Sequence, residues 1–336
     1  MVSPSRVEQP LLESDVLRDN PLGDPSVRPL PVYLPPGYED DPARRYPMIV
    51  MLTGYGGTGP FLLNLRPWDE SLPQQLDRLI LGGAMPPAIV VMPDCWTRYG
   101  GSQYLNSPAL GRYEDYLIHE VIPFVDARYR TLADRANRGV IGKSSGGYGA
   151  LVQGMHHPEV FGAVACHSGD MYFEYCYLGD IARLHANLAS YGGWVELKQK
   201  LASIRPKNTR FFQTVGTLCY GMAYAPNPAA PDGFDMPIDL ETGALREDVW
   251  ARWLAHDPLR KLDQPAWADA LRSMRLLYLD CGDQDEFNLQ VGARLFVRKL
   301  AILGINCHFE TFAGGHFDIH YRYDTSLPLL SAALQP

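Results

Sequence analysis

The stretch Gly142-Lys143-Ser144-Ser145-Gly146-Gly147 follows a short apolar run, Arg138-Gly139-Val140-Ile141, and precedes a helical pattern from Tyr148 to Met155. A strand, a tight glycine-flanked turn and a helix form the context that a G-x-S-x-G motif needs. The turn must be sharp, so that the Ser144 hydroxyl stands above the end of a sheet. Glycines two residues before and after the serine leave room for strained backbone and for close strand–helix packing. The helix N-terminus also directs free N–H groups toward the point where negative charge develops. Ser144 is therefore a candidate nucleophile. The competing reading is a small-residue turn with no chemistry, and the rest of the chain decides between them.

A length of 336 residues suits one large α/β domain with an insertion. Hydrophobic residues make up 46% and charged residues 20%, ordinary for a globular chain. A formal net charge of −8 argues against nucleic acid and anionic membranes as partners. No stretch approaches the ~18 apolar residues of a membrane span. Met1 to Pro36 is polar and proline-rich and lacks the basic-then-apolar pattern of a signal peptide. The cysteines, Cys95, Cys166, Cys176, Cys219, Cys281 and Cys307, form no C-x-x-C pair. Buried free thiols and a cytoplasmic location are expected. No Cys/His spacing suits zinc, and no metal or cofactor is expected.

Residues 1–29 read as an N-terminal arm, irregular through residue 27. Leu30–Leu34 is a short strand, and Tyr46–Thr53 is a near-continuous apolar run of the kind that forms a strand buried on both faces. The latter ends in Gly54-Tyr55-Gly56-Gly57-Thr58-Gly59. These glycines spell G-x-G-x-x-G, but Pro60 and Pro67 interrupt any following helix and no acid lies where a ribose would need it, so a dinucleotide site is not supported. An oxyanion hole is the better use of the loop, with the N–H groups of Tyr55 and Ser145 converging on one point. The spacing predicts a helix over 71–81 with Ser71 as N-cap, a strand over 88–93, a long loop over 94–112 and an amphipathic helix over 113–129. His119 on that helix reads as solvated or packing, and His156 and His157 as helix-terminal. Residues 161–166 are again strand-like.

This alternation gives a mostly parallel sheet with helices on both faces. It breaks at residues 171–262, which open with Met171-Tyr172-Phe173-Glu174-Tyr175-Cys176-Tyr177. Helical patterns follow around 180–203 and 246–255, separated by a Pro/Gly/Asn-rich stretch over 223–237. The segment reads as a cap inserted in a core formed by 30–170 and 263–336. Its aromatic start would either wall a pocket or pack the cap onto the core. The alternation then resumes. A strand over 275–280 leads to Gly282-Asp283-Gln284-Asp285, a helix over 289–303 follows, and a strand over 305–312 leads to Gly314-Gly315-His316 and a last helix.

An acid-bearing loop and a histidine loop thus follow the two last strands, in the order Ser, Asp, His that α/β-hydrolases use. A serine hydroxyl is a weak nucleophile until a base takes its proton. His316, presented by its glycine turn, is the candidate base, ahead of His308 and His320. A carboxylate would fix its tautomer and stabilise the imidazolium. Asp280, Asp283 and Asp285 compete for that role, and Asp285 is favoured.

The chain resembles the esterase D/feruloyl esterase-like family of the α/β-hydrolase superfamily, whose relatives include S-formylglutathione hydrolases and mycolyl transferases. The resemblance rests on Val32–Tyr38, Gly111–Tyr116, Val121–Asp126, Gly142–Leu151, Gly282–Asp285 and Gly314–His316. It implies an α/β-hydrolase fold, Asp285 as the acid three residues after the strand-end glycine, and oxyanion donors at Tyr55 and Ser145. The chain departs from the family at Thr53, where a histidine is usual, at Ser145, where methionine is usual, and in a longer cap. The expected activity is that of a serine carboxylic ester hydrolase working through an acyl-enzyme on short-chain or aryl, feruloyl-like esters. An acyltransferase or a thioesterase with the same triad, and a non-catalytic binding module, are the alternatives. The expected partner is a small-molecule ester, and a homodimer stays open.

Overall fold

The computed structural model describes residues 2–65 and 67–336. Eight strands form its main sheet: β1 (Arg6–Glu8), β2 (Val32–Leu34), β3 (Met48–Leu52), β4 (Ile89–Val91), β5 (Arg138–Lys143), β6 (Ala163–His167), β7 (Leu276–Gly282) and β8 (His308–Phe312). Their spatial order is β1-β2-β4-β3-β5-β6-β7-β8. β2 pairs antiparallel with both β1 and β4, and every other neighbouring pair is parallel. The inner strands β3, β4 and β6 are buried along their whole length because both faces of the sheet are covered there, whereas the edge strand β8 is half-exposed. Along β3, Met48, Val50 and Leu52 enter one core, while Ile49 and Met51 enter the other.

Ten helices carry labels here: α1 (Leu72–Leu81), α2 (113–128), α3 (Ser145–His156), α4 (Leu178–Ser190), α5 (Trp194–Lys200), α6 (Thr209–Tyr224), α7 (Glu247–Leu254), α8 (Pro265–Arg272), α9 (Leu289–Ile302) and α10 (Tyr323–Ala333). α1 begins at Ser71, whose N–H donates to Gln74 Oε1 at 2.9 Å. α2 is less regular than its amphipathic pattern suggests. A wide π-type turn over Tyr116–Val121 separates Tyr113–Asp115 from Ile122–Arg128, and the Ile122 N–H reaches back to the Leu117 carbonyl. Pro123 has no N–H to give to the preceding turn, which relaxes the helix there.

Two segments differ from the sequence reading. The first residues are not an irregular arm: they supply β1 at the sheet edge and a hairpin of Leu11–Glu13 with Val27–Pro29. Glu120 on α2 pins the turn beyond by accepting the N–H groups of Asp15 and Val16 at 2.8 and 2.9 Å. Strands of three residues are too short to show a period. The second difference lies in the helical segment between β6 and β7, where α6 fills a stretch to which the sequence pattern assigns no element. Asn208 caps it, its side chain accepting the Phe211 N–H at 3.1 Å. α6 is buried around most of its circumference, so it lacks the one-sided pattern that reveals a surface helix.

The registers align the ends of the parallel strands. Leu52 pairs with Gly142, Lys143 with His167, His167 with Asp280, and Gly282 with Phe312. The loops after β3, β5, β7 and β8 therefore emerge along one edge, where open α/β sheets place their sites.

Candidate active site

Ser144 occupies the turn between β5 and α3 at φ 59° and ψ −128°, a backbone conformation that a non-glycine residue adopts only under constraint. Its N–H donates to the His167 carbonyl at 2.9 Å, and its carbonyl accepts the Tyr148 N–H that starts α3. Two flanking glycines make the turn feasible. A β-carbon at Gly142 would lie 2.2 Å from the Gly146 carbonyl oxygen, and one at Gly146 would lie 2.3 Å from that of Leu52. Strand and helix approach more closely than any side chain permits.

His316 Nε2 lies 2.9 Å from Ser144 Oγ, and His316 Nδ1 lies 2.8 Å from Asp285 Oδ2. Asp285 Oδ1 accepts the Phe287 N–H at 2.9 Å, so both carboxylate oxygens are engaged. A carboxylate only accepts, which places the imidazole proton on Nδ1 and leaves Nε2 free to accept from the serine hydroxyl. His316 and Asp285 are each 3% exposed, whereas Ser144 is half-buried and open to a reactant. The His316 N–H donates to Glu286 Oε2 at 2.6 Å, and the rings of Phe287 and Phe317 pack edge-on against the imidazole at 4.7 and 5.5 Å.

The competing acids and bases lie elsewhere. Asp283 accepts the Gly314 N–H at 3.1 Å and so braces the turn before His316. Asp280 is buried among His167, Tyr278 and Arg322. Burial pushes its carboxyl up, but His167, Arg322 and Tyr278 together outweigh that and hold it below its usual range. His308 pairs with Glu310 and His320 with Asp69. His119 is exposed, and His156 and His157 share Glu114.

A second Ser–His–Asp chain has the same connectivity. Ser326 Oγ lies 2.8 Å from His167 Nε2, and His167 Nδ1 lies 2.7 Å from Asp280 Oδ1. Ser326 and His167 are 0% exposed, so no reactant meets them. Connectivity alone does not make a site.

The loop after β3 lies against the serine turn. A β-carbon at Gly54 would stand 3.3 Å from Ser144 Cβ. The loop is braced by Gly56 N–H to the Gly100 carbonyl at 2.8 Å, Tyr55 Oη to the Tyr99 carbonyl at 2.7 Å, and Tyr104 Oη to the Thr53 carbonyl at 2.5 Å. The Tyr55 N–H has no acceptor among the described residues. A small cavity behind the loop is lined by Tyr55, Gln103, Tyr104 and Ser145.

From the insertion, α6 leans on this loop through Tyr220, whose ring meets that of Tyr55 at 5.6 Å. Of the aromatic cluster that opens the insertion, Phe173 and Tyr177 pack inward at 4.6 Å, while half-buried Tyr172 meets exposed Tyr175 at a tilt, ring centres 4.7 Å apart. Sequence reasoning missed α6 and also missed Asp170, a buried carboxylate just beyond β6 that accepts from Tyr177 Oη at 2.8 Å. Among the described residues no group of three or more His, Cys, Asp or Glu side chains could hold a metal ion, and no helix is long and apolar enough to cross a membrane. Five of the cysteines are buried free thiols and Cys307 is half-buried.

The sheet order and the sharp serine turn between β5 and α3 are those of the α/β-hydrolase fold. The chain belongs to the Esterase family, whose model matches residues 26–322. It is 32% identical over 155 residues to an endo-1,4-beta-xylanase/feruloyl esterase of Xylanibacter ruminicola, covering 42% of this chain and 19% of that protein. It is 30% identical over 143 residues to Esterase Rv1288 of Mycobacterium tuberculosis, covering 41% of this chain and 28% of that protein. The matches thus span less than a third of either relative. A ferulic acid esterase structure superposes with a TM-score of 0.64 at 22% identity, over 99% of this chain and 100% of that one. An S-formylglutathione hydrolase from Agrobacterium tumefaciens superposes with a TM-score of 0.53 at 15% identity, over 98% and 95% of the two chains.

Proposed function

We propose that the protein is a serine carboxylic ester hydrolase and that Ser144, His316 and Asp285 are its nucleophile, base and orienting acid. The observation that carries the reading is the hydrogen-bonded line from Asp285 Oδ2 through His316 to Ser144 Oγ on a strained, accessible turn. Nε2 takes the hydroxyl proton as Oγ attacks the ester carbonyl, and Asp285 steadies the imidazolium. The N–H groups of Tyr55 and Ser145 receive the oxyanion, which each stabilises without reorganising. Collapse expels the alcohol with the proton from Nε2 and leaves an acyl-Ser144 ester. Water, deprotonated by the same nitrogen, then releases the acid.

Tyr55 and Tyr220 meet at the loop after β3, and Phe287 and Phe317 pack around His316, so aromatic surface lies close to the proposed catalytic residues. That surface suits short-chain or aryl esters, and a relative's feruloyl esterase name points the same way. The test is p-nitrophenyl ester hydrolysis against acyl length, from acetate to decanoate, beside feruloyl esters and with Ser144→Ala as control. Short or aryl acyl groups should be preferred, with activity lost in the variant. Turnover by Ser144→Ala at the wild-type rate would remove the assignment.

A further inference from the structure

We propose that Glu286 is a positioning residue: its carboxylate clamps the main-chain N–H of His316 and so keeps the imidazole in line with Ser144. This role rests on the reading of Ser144 and His316 as nucleophile and base.

β8 ends at Phe312 and the next helical turn begins at His320, so His316 lies in a stretch with no helix or strand to fix its backbone. The loop after β7 supplies the support. The Asp283 N–H donates to the Phe312 carbonyl at 2.9 Å, the Gln284 N–H donates to the Gly314 carbonyl at 2.9 Å, and Asp283 Oδ1 accepts the Gly314 N–H at 3.1 Å. These contacts hold the chain as far as Gly314. Glu286 Oε2 then accepts the His316 N–H at 2.6 Å. A β-carbon at Gly315 would lie 2.6 and 2.7 Å from Glu286 Oε1 and Oε2, so the carboxylate sits against the main chain in space that a side chain there would take.

Two adjacent carboxylates of one loop thus grip one histidine at two points. Asp285 Oδ2 lies 2.8 Å from ring Nδ1, and Glu286 Oε2 lies 2.6 Å from the main-chain nitrogen. A hydrogen bond to Nδ1 sets the tautomer, but the ring still travels if the backbone that carries it shifts. Fixing the main chain removes that freedom and keeps Nε2 at 2.9 Å from Ser144 Oγ. Proton transfer needs this alignment, and a misplacement of about 1 Å costs about 10²-fold in rate.

Asp285 is buried, whereas Glu286 is exposed. Water therefore accepts the His316 N–H when the carboxylate is removed, which spares the fold an unpaired donor. An exchanging water does not hold the loop in one place. The contribution of Glu286 falls on turnover and not on stability.

The experiment measures kcat and KM for p-nitrophenyl acetate, beside melting curves, in the wild type, Glu286→Ala, Glu286→Asp, Glu286→Gln and Ser144→Ala. His316 serves both acylation and deacylation, so slowing both together lowers kcat and leaves KM near the wild-type value. In Glu286→Ala kcat should fall by about 10- to 100-fold. Glu286→Asp keeps the charge but is a methylene too short, and kcat should fall about tenfold. Glu286→Gln keeps both the reach and an acceptor oxygen, and kcat should stay within about threefold of the wild type. A merely structural role would lower the melting temperature and leave kcat per folded molecule unchanged. Wild-type kcat in whichever of Glu286→Ala and Glu286→Asp folds overturns the proposal, as does a change confined to KM. A Glu286→Gln variant as slow as Glu286→Asp also overturns it, because charge and not a fixed acceptor would then matter. Activity surviving in Ser144→Ala would instead remove the catalytic reading on which the role rests.

Discussion

His167 Nε2 lies 2.8 Å from Ser326 Oγ, the same contact that His316 makes with Ser144 at 2.9 Å. Both histidines are oriented by an aspartate through Nδ1. Access separates the two, because the first chain is sealed inside the protein and the second ends at a half-buried hydroxyl.

Removing each aspartate should therefore have opposite consequences. Asp285→Asn should lower kcat by about 10³–10⁴-fold, because an amide there favours the wrong imidazole tautomer. Melting should change little. Steady-state ester hydrolysis beside a thermal melt checks both statements.

Asp280→Ala should be a stability variant. It strands His167 and Arg322 in the interior and should cost about 3–5 kcal/mol. Turnover per folded molecule should stay near the wild-type value, as urea titration and activity at low temperature would show.

Gly146→Ala tests the close approach beneath the serine turn. The added carbon would lie 2.3 and 2.6 Å from the Leu52 and Thr53 carbonyl oxygens, backbone atoms that cannot step aside. The variant should lose about 3 kcal/mol or more, measured as a shift of the urea midpoint. The wild-type midpoint would show that the sheet and helix are farther apart than described.

His256 sets a pH window for stability. Its ring packs on Tyr224 at 5.1 Å, its Nδ1 has no hydrogen-bond partner, and burial, with Lys261 and His156, lowers its pKa to about 4. Between pH 6.5 and 4 the unfolded chain binds a proton there that the folded chain refuses. Stability therefore falls as pH drops through that window, by about 3 kcal/mol from this residue. Glu114, whose half-burial pushes its carboxyl up, is nevertheless held down to about 2 by His156 and His157 and adds a loss below about pH 4.5. Urea unfolding of the wild type and His256→Gln should give curves that diverge between pH 6.5 and 4.5. Parallel curves would contradict the burial argument.

The serine turn is legible in the sequence because its geometry demands particular residues at fixed offsets, as Gly142 and Gly146 show. The loops bearing Asp285 and His316 are legible because each follows a strand-like run and carries glycine, Gly282 in one and Gly314-Gly315 in the other. β1 is not legible, since three residues such as Arg6–Glu8 carry no period. α6 is hidden for a different reason: a helix enclosed by rings on several sides has no polar face to mark it. Asp170 is hidden because its character depends on partners such as Gln103, 67 residues away, and on burial that folding creates.

The central claim is that Ser144, and not the enclosed Ser326, is the reactive hydroxyl. Incubation of the folded protein with a fluorophosphonate, followed by intact-mass and peptide analysis, tests it most directly. The account predicts one phosphonyl adduct per chain, located on Ser144 and absent in Ser144→Ala. No adduct on the folded protein, or an adduct that persists in Ser144→Ala, would contradict it.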